Sequence, residues 1–164
     1  MKQKKVLFIT QAAMIAALYV ILTYLAAALG ISSGVIQVRF SEALTILPFF
    51  TPAAIPGVFI GCFISNVLTG ACLLDVIFGS LTTLVAAVIS YKMRKFKYAV
   101  CIPPIVANTL VIPWILRYGY GMTDEAIPFM MLTVGAGEVI SCGILGCALL
   151  SALYKYRNMI FKNS

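Results

Sequence analysis

Arg39 and Glu42 stand one helical turn apart in the stretch IQVRFSEALTILPFF, residues 36–50, at the mouth of an apolar run. If a helix starts here, that spacing brings both side chains onto one face. Such a pair can serve as an ion pair that fixes a helix end, or as one wall of a ligand pocket. Four further polar residues stand in or at the ends of other apolar runs: Asn66, Asp75, Asn108 and Glu138. Each has a structural reading. Asp75 and Ser41 are good helix N-caps, and Asn66 and Asn108 suit hydrogen bonds between helices. Glu138 has the weakest structural reading. It lies within TVGAGEVISCG with no basic residue near it in the chain. Trp114, six residues after Asn108, is either a stacking platform or an anchor at an interface with water.

The elements that must carry these residues are unusual in composition. The 164-residue chain is 62% hydrophobic and 10% charged, with a mean hydropathy of +1.05. Soluble domains carry about 25% charged residues. Too little polar material is present to cover a water-facing surface, so the sequence predicts an all-α integral membrane protein, one domain over residues 1–164. In that setting an unpaired intramembrane carboxylate costs several kcal/mol and points to function.

Apolar runs predict six spans, at about 6–29, 41–51, 56–70, 73–91, 98–117 and 128–153. A cleavable leader is the alternative for the first, but its apolar run is long for one. Pro48 should kink the second span, and Pro103, Pro104 and Pro113 should interrupt the fifth. The first outer loop is GISSGVIQVRF, residues 30–40.

The net charge of +7 does not imply nucleic acid. Lys2, Lys4 and Lys5 precede the first span; Lys92, Arg94, Lys95 and Lys97 follow the fourth; Lys155, Arg157 and Lys162 follow the sixth. With both termini cytoplasmic, every basic residue but Arg39 and Arg117 falls inside, as the positive-inside rule requires. The expected location is the cell membrane, in contact with the lipid bilayer. In that topology Glu42 and Asp75 open their helices at the outer face, and Glu138 lies about 15 Å down the sixth. Asn66, Asn108 and Trp114 also fall in the outer half.

Other chemistries are excluded. There is no histidine, so no Ser/His or Cys/His nucleophile can be built. The five cysteines are odd in number and scattered through apolar runs, which predicts packing roles and neither a metal nor a disulfide. No G-x-x-x-x-G-K-[ST] loop is present, so the chain does not hydrolyse ATP by the usual route. No enzyme activity and no cofactor are expected. In the first span, QAAMIAALY holds two small pairs, Ala12/Ala16 and Ala13/Ala17, whose spacing lets another helix approach closely.

The stretch VRFSEALTILPFFTPAAIPGVFIGCFISNVLTG followed by LLDVIFGSLTTLVAA resembles the QueT-type queuosine-precursor transporters. These are substrate-binding S components of energy-coupling factor (ECF) transporters. The resemblance covers about residues 6–153, and its specific part runs from Gln37 to Leu84.

It implies a six-helix bundle that captures a 7-deazaguanine queuosine precursor near the outer surface. The bundle would then dock on a transmembrane coupling subunit with two ATPase subunits. Ala13 and Ala17, or Ala12 and Ala16, would face the coupling subunit. Glu138 would accept the ring N1–H and exocyclic amine. Asp75 or Glu42 would pair an aminomethyl cation, Asn108 would read the carbonyl edge, and Trp114 would stack on the ring. Asn66 would complete the set, and an Arg39–Glu42 pair would pin the first outer loop as a lid. An S component for another vitamin and an autonomous proton-coupled transporter remain the alternatives.

Overall fold

Helix α1, Lys2–Ala28, is 27 residues long. At 1.5 Å per residue that exceeds the ~30 Å of a hydrocarbon core. Its buried face is narrow: Ala12, Ile15, Ala16, Tyr19 and Ala26. The rest, including Ile9, Met14, Leu18, Ile21 and Leu25, is exposed and apolar, the surface that lipid requires. The computed structural model describes residues 2–32 and 36–160, without the side chains of Lys2 and Asn158. Lys162 of the C-terminal basic cluster and the middle of the first outer loop, 33–35, lie outside the described residues.

Five further helical segments follow among the described residues, and no strand is among them. They are α2, Phe40–Phe49; α3, Ala54–Leu68; α4, Asp75–Lys92; α5, Ala99–Gly119; and α6, formed without a break by Ile127–Glu138, Val139–Leu145 and Gly146–Ile160. Helices α1, α4, α5 and α6 are long and apolar enough to cross a membrane, and α2 and α3 are shorter. The expected multi-pass helical bundle is therefore present.

Three departures from regular α-helix matter. The α2 segment is a 3-10 helix of 10 residues, where an α-helix was expected. Thr45 Oγ1 donates to the Glu42 carbonyl three residues back at 2.6 Å, and Pro48 has no N–H to donate to an α-helical ladder. Such long 3-10 runs are uncommon and mark strain or function. Residues 41–48 of α2 are all buried, so this element is a central post and not a lipid-facing one. The other two departures are π-helical: the opening of α4 at Asp75–Gly79, and Val139–Leu145 of α6. Helix α5, expected to be interrupted, runs on. Pro103 and Pro104 occupy the first turn of its α-helical part, Ile102–Gly119, where no N–H is needed, and Pro113 is accommodated within it.

The two ends of the bundle separate cleanly. At one end Thr51 donates to Gln11 at 3.0 Å, the Phe49 ring lies 6.1 Å from that of Tyr154, and Lys97 and Arg157 lie 4.3 and 4.4 Å from the Tyr154 ring centre. The described basic clusters gather here. At the other end Arg39 meets Asp75, and Gly119 lies against Cys72. Helices α1 and α3 both stop there on Schellman motifs. Gly30 and Gly70 have φ of +72° and +71°, and the N–H after each bonds five residues back, Ile31 to Ala26 and Ala71 to Asn66.

The α1–α3 contact fixes the position of Tyr19. A Cβ on Gly61 would lie 2.6 Å from Tyr19 Cβ, and one on Gly57 would lie 2.9 Å from Ile15 Cβ. The small residues thus serve internal packing, with Ala12 and Ala16 buried against α3. Ala13 and Ala17 remain exposed. Gly61→Ala should cost about 1–3 kcal/mol through overpacking. Gly143→Ala, where the nearest side-chain atoms lie at 3.7 Å, should cost nothing measurable. Thermal unfolding of the two purified variants in detergent checks the contrast.

Candidate ligand-binding site

Arg39 precedes the first turn of α2 in extended conformation, φ −112° and ψ 106°. The i, i+3 geometry expected for Arg39 and Glu42 assumes that both are helical, and Arg39 is not. The guanidinium reaches across to α4 instead and lies 4.0 Å from Asp75 Oδ2. The expected Arg39–Glu42 pin is thus replaced by a bridge from the first outer loop to α4. The loop is also held on α6. Arg39 N–H donates to Ser141 Oγ at 3.0 Å, and the Gln37 backbone lies so close to Gly137 that a Cβ there would strike its carbonyl.

Asp75 is 3% exposed. Its Oδ2 accepts from Tyr120 Oη at 3.0 Å, and its backbone carbonyl accepts from Asn66 Nδ2 at 3.1 Å. Partial burial and the Asp75 charge raise the Tyr120 phenol above its ordinary pKa, so it remains a neutral donor at physiological pH. Asn66 is placed by the Schellman turn that ends α3, and Cys62 packs against its amide at 3.7 Å.

Glu42 points from the central 3-10 helix toward α1 and accepts from Tyr19 Oη at 2.5 Å. Asn108 of α5 donates to Glu138 Oε1 at 3.0 Å and also faces Glu42. Glu42, Asn108 and Glu138 therefore form one buried polar layer, with exposures of 2%, 4% and 7%. In each acid one carboxylate oxygen has no hydrogen-bond partner: Glu42 Oε2, Asp75 Oδ1 and Glu138 Oε2. A buried acceptor left bare costs about 1–3 kcal/mol, more if charged, and asks for an occupant.

A cavity of about 200 Å³ opens above this layer, at the end where Arg39 meets Asp75. Tyr19, Thr23, Arg39, Ser41, Asn66, Asp75 and Tyr120 are among its lining residues. It is below the ~300 Å³ at which drug-sized pockets begin, so its occupant is small. Among the described residues no cluster suited to a metal ion is found.

The structure therefore brings Arg39, Asn66 and Asp75 to the cavity wall, with Glu42, Asn108 and Glu138 beneath. It leaves Trp114 outside: that ring is exposed and lies parallel to Tyr118, with centroids 6.3 Å apart. Helical phase explains this, since Trp114 is six residues from Asn108 and so on a different face of α5. Tyr19 and Tyr120 were not foreseen. Tyr19 sits in a run read only for its alanines, and Tyr120 lies between the fifth and sixth predicted spans.

The sequence matches the family described as QueT transporter over residues 9–155. The curated protein named Queuosine precursor transporter QueT, from Lactococcus lactis subsp. cremoris (strain MG1363), is 48% identical over 85 residues. That match covers 52% of this chain and about half the length of the relative, 50%. No solved structure matches the chain.

Tyr19→Phe should remove the Tyr19 donor from Glu42 and cost roughly 1.5–3 kcal/mol, the range for a hydrogen bond to a charged group. Tyr19→Phe with Glu42→Gln should be less damaging than the sum of the single changes. Unfolding of the four proteins in one detergent measures the coupling.

Proposed function

The chain belongs to the QueT transporter family, and from that premise we propose that it captures a 7-deazaguanine precursor of queuosine in the outer cavity. It does so as the S component of an ECF-type importer. The observation that carries this reading is the set of three buried carboxylates, each with a bare oxygen, at the outer end of a multi-pass helical bundle. A deazaguanine is flat, small and rich in donors along one edge. Its N1–H and exocyclic amine match one carboxylate side by side. Glu138 is assigned that edge, and Asn108 is assigned the adjacent carbonyl. Arg39, bridged to Asp75, holds the first outer loop over the cavity.

Energy comes from other subunits in this reading, because the chain carries no phosphate-binding loop. The exposed Ala13/Ala17 pair gives α1 a smooth face on which a coupling subunit would pack. In proteoliposomes the protein alone should bind ligand without accumulating it, and accumulation should require the coupling subunit, the two ATPases and ATP. Ala13→Trp should leave binding intact and abolish that accumulation. Uptake driven by a proton gradient alone would overturn the S-component assignment and favour an autonomous carrier.

Glu138→Gln keeps the shape of the side chain but turns one acceptor into a donor. The lost charged hydrogen bond is worth roughly 1.5–3 kcal/mol, so affinity should fall on the order of ten- to a hundredfold. The melting temperature without ligand should hold or rise, because a buried charge is removed. Isothermal titration with a paired melting curve separates these effects, and unchanged affinity removes Glu138 from the ligand contact.

A further inference from the structure

Away from the cavity, α5 and α6 bring a group of thiols together. Cys101 Sγ and Cys147 Sγ lie 3.3 Å apart, although 46 residues separate them in the chain. Cys142 Sγ donates to the Cys101 backbone carbonyl at 3.7 Å and contacts Thr45 Oγ1 of α2 at 3.2 Å. All three thiols are free. The local backbone explains how α6 turns both of its cysteines toward α5. Residues five apart on a regular α-helix diverge by about 140°. The π-helical stretch Val139–Leu145, with its i→i+5 bonds, brings Cys142 and Cys147 nearer one face. The other two cysteines are placed differently. Cys62 accepts from Thr83 Oγ1 and Asn66 Nδ2, and Cys72 lies against Gly119 at the opposite end of the bundle.

We propose that Cys101 and Cys147 form a redox modification site, which an organic hydroperoxide of the surrounding lipid converts into a disulfide between α5 and α6. Exposure sets the order of events. Cys147 is half-buried beside the exposed Ile144 and Ala148, while Cys101 is buried, so the peroxide meets Cys147 first. Cys147 sulfur gives two electrons to the peroxide. The O–O bond breaks, an S–O bond forms, the lipid leaves as its alcohol, and Cys147 becomes a sulfenic acid. Cys101 Sγ then attacks Cys147 Sγ. The S–S bond forms, the S–O bond breaks, and the hydroxide departs with the Cys101 proton as water. The approach from 3.3 Å to a bond of about 2.0 Å is short. Cys101 closes the 3-10 turn Ala99–Cys101, whose hydrogen bonds are weaker than those of the α-helix after it, so the small displacement falls there. Cys142 is fully buried between Thr45 and the Cys101 carbonyl and takes no part.

The test treats the purified full chain in detergent with cumene hydroperoxide and maps its peptides by mass spectrometry without reductant. One peptide pair should appear joined through Cys101 and Cys147, lighter by two hydrogens than the free pair and separated again by dithiothreitol. Cys101→Ser should stop Cys147 at the sulfenic acid, which dimedone traps. Cys147→Ser should abolish both products, and Cys142→Ser should leave the link unchanged. A melting curve before treatment confirms that each variant is folded, and the wild-type map decides alone where a variant is not. Five cysteines still free after treatment overturn the proposal. Oxygen added to Cys147 of the wild-type chain with no link to Cys101 overturns it as well. So does a link that runs through Cys142 or joins two copies of the chain.

Discussion

The Tyr19–Glu42 hydrogen bond governs the outer half of this bundle. A carboxylate on a helix buried on all sides cannot turn to solvent, so its donors must come from other helices. Glu42 receives one from α1, and that fixes how α1 must lie. The geometry works only because Gly57 and Gly61 let α1 approach α3 at backbone distance. The same approach leaves the other flanks of α1 exposed and apolar. The α1–α3 packing is thus tied to one polar group on the central 3-10 helix.

From Glu42 the polar contacts spread in two directions. Asn108 links toward Glu138 on α6, and Tyr19 forms part of the cavity wall below Asp75, Arg39 and Tyr120. Residues from all six helices therefore meet around a small volume near one end. The opposite end is built from different materials. Lysine and arginine lie over tyrosine rings, contacts suited to a charged membrane surface and not to a pocket.

Much of this was legible in the sequence for physical reasons. Long apolar runs predict the helices, and the placement of basic residues predicts their direction, because hydrocarbon tolerates little else. Depth along each helix brought Asn66, Asp75, Asn108 and Glu138 to the outer half without any knowledge of packing. Rotation was less legible. Trp114 shares the depth of the site but not its side of α5, and Ala12/Ala16 cannot be told from Ala13/Ala17 until the neighbour of α1 is known. The Arg39 partner was missed because the helix begins after Arg39, a boundary of one residue that redirects the side chain from α2 to α4. Tyr19 and Tyr120 gave no signal, since a tyrosine in an apolar run or a loop is common and its hydroxyl contact depends on a distant helix.

The two π-helical stretches adjoin acids: Asp75 begins one, and Glu138 immediately precedes the other. A π turn holds about one residue more than an α turn. Each stretch thus holds about one residue more than an α-helix of the same length, without a break in the helix. Loss of one residue from Val139–Leu145 would restore an ordinary α-helix and turn everything on one side of it by about 100° relative to the other. Glu138 would then face lipid or a neighbouring helix while the inner half of α6 kept its contacts. The length of this segment is thus a constraint separate from the identity of its residues, and homologues that differ by one position here are expected to present a different side chain to the cavity.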